Sequence, residues 1–314
     1  MKVVLAYGGG GPVVEAHRAA WAEHGLELVP APEGDPALVR ELEDAEVLLH
    51  VLEPVTAEVL ASAPRLRLLQ KVGVGVNSID LDAARERGIA VTNMPGTNHT
   101  AVAEAALMLM LAVLRRLTEW HAATRAGSGW PLDPMGLERV GELRGRTVGL
   151  VGAGKVAAAL VPPLRALGAE VLYASRREST GLGAERVALT ELLPRIDVLS
   201  LHVPLVPETE GLVGSDELAL LPPGAVLVNT ARGALVDEPA LLEALRSGRL
   251  AGAGLDVFAQ EPLLPGHPLL ELPNVVVMPH VAWLTQETLA RSLDLARDNV
   301  LRLRDGRELV FRVA

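Results

Sequence analysis

Cysteine is absent from the 314 residues, which removes disulfide staples, thiolate catalysis and thiolate metal sites together, and suits a cytoplasmic protein. No metal is expected. Lysine is almost missing too, occurring only at Lys2, Lys71 and Lys155, so nearly all the basic charge is arginine. The arginines are scattered among acids and the formal net charge is -10. No electrostatic footprint for a phosphate backbone follows, and nucleic acid is not an expected partner. Long hydrophobic runs are lacking as well. The longest apolar stretch, Ala101 to Leu114, contains Glu104 and falls short of the roughly 20 residues that cross a bilayer. It reads as a buried helix, and no membrane partner is expected. The N-terminal run Val3 to Tyr7 is too short for a signal peptide and reads as a first strand, with Gly8 to Gly11 as its turn.

What is present suits a packed α/β protein: 49% of residues are hydrophobic and 22% charged, over a length that predicts two domains. Strands are read at Val3 to Tyr7, Val47 to Val51, Leu68 to Val72 and Ala90 to Thr92, alternating with helical or turn-rich segments. Such alternation means parallel βαβ units. A stretch with Gly127, Gly129, Pro131, Pro134, Gly136 and Gly141 follows the buried helix and reads as too irregular for an element of its own. A second series then runs Thr147 to Val151, Glu170 to Ala174, Val198 to His202, Ala225 to Asn229, Gly252 to Val257 and Val275 to Met278, six strands for one doubly wound sheet. A last helix, Gln286 to Leu303, leads to a short final strand, Glu308 to Val313.

Strand Thr147 to Val151 runs directly into Gly152-Ala153-Gly154-Lys155-Val156-Ala157, the strand, glycine turn and helix start of a dinucleotide-binding fingerprint. Ala157 stands for the third glycine, where small size governs helix–strand packing. Pro162-Pro163 predicts a kink or break in the helix that follows, one to two turns beyond the phosphate site. The next strand ends in Ser175-Arg176-Arg177, where an NAD enzyme usually places a carboxylate for the ribose hydroxyls. Two guanidinium groups suit a 2'-phosphate, so NADP is expected ahead of NAD, the alternative being a solvated turn.

Three ionisable residues each follow a strand of the second series: Arg232, Glu261 and His280. A doubly wound sheet carries all three to its carboxyl edge, where ligands bind. Reduction of a keto acid needs a cation to hold the carboxylate, an acid to protonate the nascent alkoxide and a carboxylate to keep that acid charged. Arg232, His280 and Glu261 supply them. Singly, each residue reads better as a surface charge or a structural histidine; the joint placement carries the inference.

The segments Val228-Asn229-Thr230-Ala231-Arg232-Gly233, Gly254-Leu255-Asp256-Val257-Phe258 with Glu261-Pro262, and Pro279-His280-Val281-Ala282 resemble the signatures of the D-isomer-specific 2-hydroxyacid dehydrogenases. Further likeness lies in Gly73-Val74-Gly75-Val76-Asn77-Ser78-Ile79-Asp80, Val102-Ala103-Glu104 and Leu201-His202-Val203-Pro204-Leu205 with Thr209. The resemblance implies a Rossmann-type cofactor domain (99–283) inserted into a smaller flavodoxin-like α/β substrate domain (1–98 and 284–314), with closure of the two completing the site. It implies that Arg232 clamps the substrate carboxylate and carbonyl, that His280 donates the proton, and that Glu261 hydrogen-bonds His280. Backbone N–H groups of Val74 and Gly75 would receive the carboxylate, with Leu52 in the substrate loop. Gly152, Gly154, Lys155, Val156, Ser175, Arg176, Arg177, His202, Val203, Pro204, Thr209, Thr230, Ala231 and Asp256 would line the cofactor, Asp256 accepting from the nicotinamide amide. A homodimer is implied, to which the arm from about Leu117 to Gly141 would contribute.

The substrate implied is a small 2-keto or 2-hydroxy acid. The loop His50-Val51-Leu52-Glu53-Pro54 puts Glu53 where a substrate phosphate would need a cation. With His280-Val281-Ala282-Trp283 and Ser175-Arg176, the chain looks closest to glyoxylate/hydroxypyruvate reductases and glycerate dehydrogenases, ahead of D-3-phosphoglycerate dehydrogenase. Bulkier 2-keto acids stay open. An alternative of another class is a binding module like the C-terminal-binding corepressors, which use this fold to sense dinucleotides.

Overall fold

A computed structural model describes residues 1–8, 11–130 and 138–314. Gly9 and Gly10 of the first glycine turn, and Pro131, Pro134 and Gly136 of the irregular stretch, lie outside the described residues. Contacts divide the chain into two compact units, Met1–Asn98 with Leu284–Ala314, and His99–Trp283.

The first unit is a sheet of five parallel strands, β1 (Lys2–Ala6), β2 (Glu27–Ala31), β3 (Val47–His50), β4 (Leu68–Lys71) and β5 (Ala90–Thr92), in the order β2-β1-β3-β4-β5. Helices α1 (Pro12–Ala22), α2 (Pro36–Leu42), α3 (Ala57–Ala61) and α4 (Leu81–Glu86) connect them. All four residues of β3 are buried, as an interior parallel strand covered on both faces requires. The core gathers Val4, Leu48, Leu60, Leu69, Ile79 and Val91, each buried side chain contributing about 2 kcal/mol by removal from water. Strand β2 was not expected from sequence because it contains Pro30; at the edge of the sheet the missing N–H costs no ladder bond.

Residues 308–313 do not form the expected final strand. Phe311 takes a left-handed φ of 56°, which breaks the extended run, and only an isolated antiparallel bridge joins Arg312 to Thr92. The tail nevertheless covers the free edge of β5: Asn93 N donates to Phe311 O at 3.1 Å and Val313 N to Val91 O at 2.8 Å. Within the same unit a buried side-chain network fastens this tail. Asn299 lies on the last helix, Gln286–Arg304. It donates to Gln70 Oε1 at 2.7 Å and accepts from Val310 N at 2.9 Å.

The second unit carries seven parallel strands, β6 (Thr147–Val151), β7 (Glu170–Ala174), β8 (Glu185–Arg186), β9 (Val198–Leu201), β10 (Ala225–Asn229), β11 (Leu250–Leu255) and β12 (Val275–Val277). Their order is β12-β11-β10-β9-β6-β7-β8. The chain winds outward in both directions from β6 and β9, so a topological switch point lies between those two strands. The short β8 adds one strand to the six expected. The buried helix α5 (His99–Leu114) packs on β10 and β11 and against helix α7 (Lys155–Ala166).

Two expectations for this unit need correction. Part of the stretch read as irregular forms helix α6 (Leu117–Arg125). None of its residues is buried, so no stripe of it faces a core, and the glycines and prolines that follow dominated the sequence reading. Of the kink or break expected at Pro162 and Pro163, the break does not occur: α7 runs continuously to Ala166. Burial of Leu160, Val161 and Leu164 holds that turn to the core, and the two lost N–H bonds fall in the C-terminal half of the helix.

Candidate active site

Strand β10 ends in buried Asn229, whose side chain shapes the turn that follows. Its Oδ1 accepts from Ala231 N at 3.0 Å and its Nδ2 donates to Arg232 O at 2.8 Å. Arg232 is thereby presented at the carboxyl edge, half-buried, with Nη1 donating to Ala231 O at 2.6 Å. Burial pulls the guanidinium below its ordinary pKa and the charge of Glu261 opposes that fall. Gly233 comes next because nothing larger fits. A Cβ there would stand 1.9 Å from the carbonyl carbon and oxygen of Phe258, so the Arg232 turn rests directly on the loop that carries Glu261.

Glu261 folds back onto its own loop, Oε1 accepting from Phe258 N at 3.0 Å, while Oε2 lies 2.6 Å from His280 Nδ1. Burial alone would raise this carboxyl. The hydrogen bonds from His280 and Phe258, with the charges of His280 and Arg232, bring it below its ordinary value instead. The carboxylate is therefore ionised at neutral pH. Nδ1 of His280 is committed to it, and Nε2 is the ring nitrogen left for chemistry.

His280 adopts φ of 56°, a left-handed conformation that costs a non-glycine residue about 1 kcal/mol or more. Four hydrogen bonds hold it there. His280 N donates to Asp256 O at 2.8 Å, Trp283 Nε1 donates to His280 O at 3.1 Å, and the Asp256 carboxylate accepts from Val281 N and Ala282 N at 2.8 and 2.9 Å. Asp256 is 1% exposed. Burial raises its pKa, against the lowering effect of those two amides. Its place beside the His280 segment is a structural duty that the sequence reading did not assign to it.

The glycine turn closes β6. Gly152 has φ of 109°, and a Cβ there would lie 2.4 Å from His202 O, so this residue has to be glycine on both counts. Gly154 caps α7, which starts at Lys155 with Val156 behind it, and the dipole at such a helix N-terminus suits a pyrophosphate. Across the switch point, His202 N donates to Val151 O at 2.7 Å and its Nε2 lies 3.0 Å from Ser200 Oγ. Burial pushes the His202 imidazole down to about 4, so it is neutral. Val203 and Pro204 continue the edge, and Thr209 Oγ1 ties them by donating to Pro204 O at 2.7 Å. Thr230, next to Ala231, is 8% exposed and its Oγ has no protein partner. A buried, orphaned hydroxyl on this edge fits a dinucleotide.

At the end of β7, Ser175 Oγ donates to Arg177 O, and Arg176 and Arg177 are exposed. Arg186, which the sequence reading missed, braces this turn from β8 by donating to Ser175 O at 3.0 and 2.9 Å and to Arg176 O at 3.1 Å. No local signal marked it, since its partners lie ten and more residues away.

In the first unit, Leu52 and the Val74-Gly75 pair occupy the loops after neighbouring strands β3 and β4. Leu52 is 40% and Val74 47% exposed. The first loop is clamped. The Glu33 carboxylate accepts from Val51 N, Leu52 N and Glu53 N at 3.2, 2.8 and 3.1 Å, Lys71 Nζ donates to Val51 O, and His50 Nε2 contacts Glu53 O. The second loop is held by Asn93 Nδ2, which donates to Val74 O at 2.9 Å.

Among known proteins, residues 107–282 match the family model of the D-isomer specific 2-hydroxyacid dehydrogenase NAD binding domain. The chain is 39% identical over 282 residues to a glyoxylate reductase of Korarchaeum cryptofilum, covering 88% of this chain and 85% of that protein. It is 41% identical to a D-3-phosphoglycerate dehydrogenase of Mycobacterium leprae over 84% of this chain, but over 48% of that longer protein. Its fold is similar to the crystal structure of the TT0316 protein of Thermus thermophilus, with a TM-score of 0.89 at 40% identity over the whole of both chains. With these likenesses, the chain belongs to the D-isomer specific 2-hydroxyacid dehydrogenase family of NAD-binding oxidoreductases.

Proposed function

We propose that the protein reduces glyoxylate or hydroxypyruvate to the 2-hydroxy acid, using NADPH in preference to NADH. The observation that carries this reading is the 2.6 Å contact between His280 Nδ1 and Glu261 Oε2, with the Arg232 charge acting on the same carboxylate. A nicotinamide bound here would supply the hydride for the keto carbon. Arg232 holds the substrate carboxylate and polarises the carbonyl. As the carbonyl oxygen gains charge, His280 gives it the proton from Nε2, and the Glu261 carboxylate stabilises the imidazolium before transfer. The amides of Val74 and Gly75 receive the substrate carboxylate, and Leu52 bounds its side chain.

The cofactor is held by Gly152, Gly154, Lys155 and Val156 at the pyrophosphate, by His202, Val203, Pro204 and Thr209 around the adenosine, and by Thr230, Ala231 and Asp256 toward the nicotinamide. Ser175, Arg176 and Arg177 take the 2'-phosphate, since no carboxylate stands in that turn to repel it. The Glu33 carboxylate on the loop of Leu52, together with Glu53, favours a neutral substrate tail over a phosphorylated one. Relatives named glyoxylate reductase agree with that choice. The reading extends to a cytoplasmic homodimer. Exposed Met108, Leu117 and Trp130, at 48%, 56% and 77%, offer apolar surface for the second copy, and sedimentation as a monomer would remove that part.

The test is initial-rate oxidation of NADPH and of NADH with glyoxylate, hydroxypyruvate, pyruvate and phosphohydroxypyruvate, for the native protein and for His280→Ala. Turnover of the first two with NADPH, lost in the variant while cofactor binding persists, is the expected result. Tight cofactor binding without turnover of any 2-keto acid would instead leave a dinucleotide-sensing protein.

A further inference from the structure

Behind the Glu261–His280 pair stands a second carboxylate–imidazole pair that the mechanism does not use. Glu238, the first residue of helix α10 (Glu238–Arg246), places Oε1 3.1 Å from His267 Nε2, and both side chains are largely withdrawn from solvent, at 21% and 25% exposure. Its other oxygen, Oε2, accepts from Ala259 N at 3.2 Å. On the far side of the imidazole, His267 Nδ1 accepts from Leu269 N at 3.4 Å. With Nε2 facing the carboxylate and Nδ1 accepting from Leu269 N, both contacts are met at once and the pair forms a strut.

The strut ends on the loop that bears the catalytic carboxylate. Ala259 is adjacent to Phe258, whose N–H is the anchor for Glu261 Oε1 at 3.0 Å, and Phe258 is also the residue on which Gly233 and the Arg232 turn rest. Thus one loop of four residues, 258–261, backs the Arg232 turn at Gly233 through its backbone and meets His280 through a side chain. Glu261 is tied to Phe258 N and to His280, and Phe258 is buried in the core. Glu238 adds a tie from the Ala259 amide to helix Glu238–Arg246. The charged groups that act on Glu261 are His280 and Arg232, with Asp256 within reach of its charge; the one paired with Glu238 is His267.

We propose that Glu238, oriented by His267, is a positioning residue for the reaction: by holding the Ala259 amide it sets the distance from Glu261 to His280. This rests on the reading of Glu261 and His280 as the proton-donating pair. Displacement of a catalytic group by about 1 Å can cost up to roughly 100-fold; loss of one brace, with the Phe258 anchor intact, should cost about 10-fold in kcat.

The experiment compares Glu238→Ala, Glu238→Gln and Glu261→Gln in kcat, cofactor KM and their pH dependence between pH 6 and 9, alongside thermal unfolding. Glu238→Ala should lower kcat about 10-fold with cofactor KM little changed, and its pH profile should change in the same way as that of Glu261→Gln. Glu238→Gln keeps an acceptor for Ala259 N–H and should recover most of the rate. A folded Glu238→Ala with unchanged kcat overturns the proposal. So does a pH profile unlike that of Glu261→Gln, or a loss that follows the fall in thermal stability, which would mark a merely structural brace. If Glu238→Ala does not fold, amide exchange in the native protein decides: the Ala259 N–H, on an exposed residue, should exchange slowly, and exchange at the rate of an open loop refutes the brace. Full activity in Glu261→Gln would show the underlying reading to be wrong, whatever Glu238 does.

Discussion

Replacing Glu261 by Gln removes one charge and keeps the shape, so it isolates what the carboxylate does for His280. The amide oxygen can still accept from Phe258 N, and the loop should stay in place. Two unit charges about 4 Å apart attract by about 4 kcal/mol at the effective dielectric of a protein surface. That is a ceiling. His280 and Glu261 keep 23% and 34% of their side-chain exposure, and solvent screening reduces the benefit to about 2 kcal/mol. The rate should fall about 30-fold. Cofactor KM should be unaffected. Steady-state reduction of glyoxylate between pH 6 and 9 is the assay. A variant within threefold of the native rate at every pH would refute the assignment. Glu261 titrates below its ordinary value in the folded protein, so the pair's contribution is complete above a pH of about 4.3 and lost only as pH falls through the lower folded value.

Gly152→Ala should cut cofactor affinity by roughly 5- to 100-fold, because the added Cβ meets His202 O at 2.4 Å on a backbone with φ of 109° and strain there costs about 1–3 kcal/mol; isothermal titration with NADPH and NADH measures it, and undiminished binding of both would exclude the turn as the pyrophosphate site. Arg176→Ala with Arg177→Ala should raise the KM for NADPH at least about 10-fold and leave that for NADH unchanged; equal effects on both would assign the arginines to general attraction. His50, 1% exposed and pushed down to about 3 by burial and by Lys71, is neutral in the folded state, whereas the unfolded chain takes up a proton below about 6.5. Stability should therefore be complete above that pH and decline toward about 3, by roughly 2 kcal/mol at pH 5. Urea unfolding of the native protein and of His50→Gln at pH 7 and pH 5 tests this, a smaller pH dependence being expected in the variant.

The strand–helix alternation, the glycine turn after Val151 and the three ionisable residues after Asn229, Leu255 and Val277 were legible in sequence because each depends on local periodicity or on position along one strand. Edge strand β2 and helix α6 were not, since one contains a proline that only an edge tolerates and the other leads into a run of glycines and prolines. Chain order also placed Arg232, Glu261 and His280 on one edge, because parallel strands in one sheet all end on the same side. Their working geometry came from partners that sequence distance conceals. Asp256 holds Val281 and Ala282 across 25 and 26 residues, Glu33 holds Leu52 across 19, and Glu238 holds Ala259 across 21. Hydrogen-bond partners of that separation are chosen by which strands lie side by side and how their loops stack. The residue types were therefore set by the sequence, whereas the left-handed His280, the clamped Leu52 loop and the strut behind Glu261 were decided only when tertiary packing brought distant backbone amides within reach of these carboxylates.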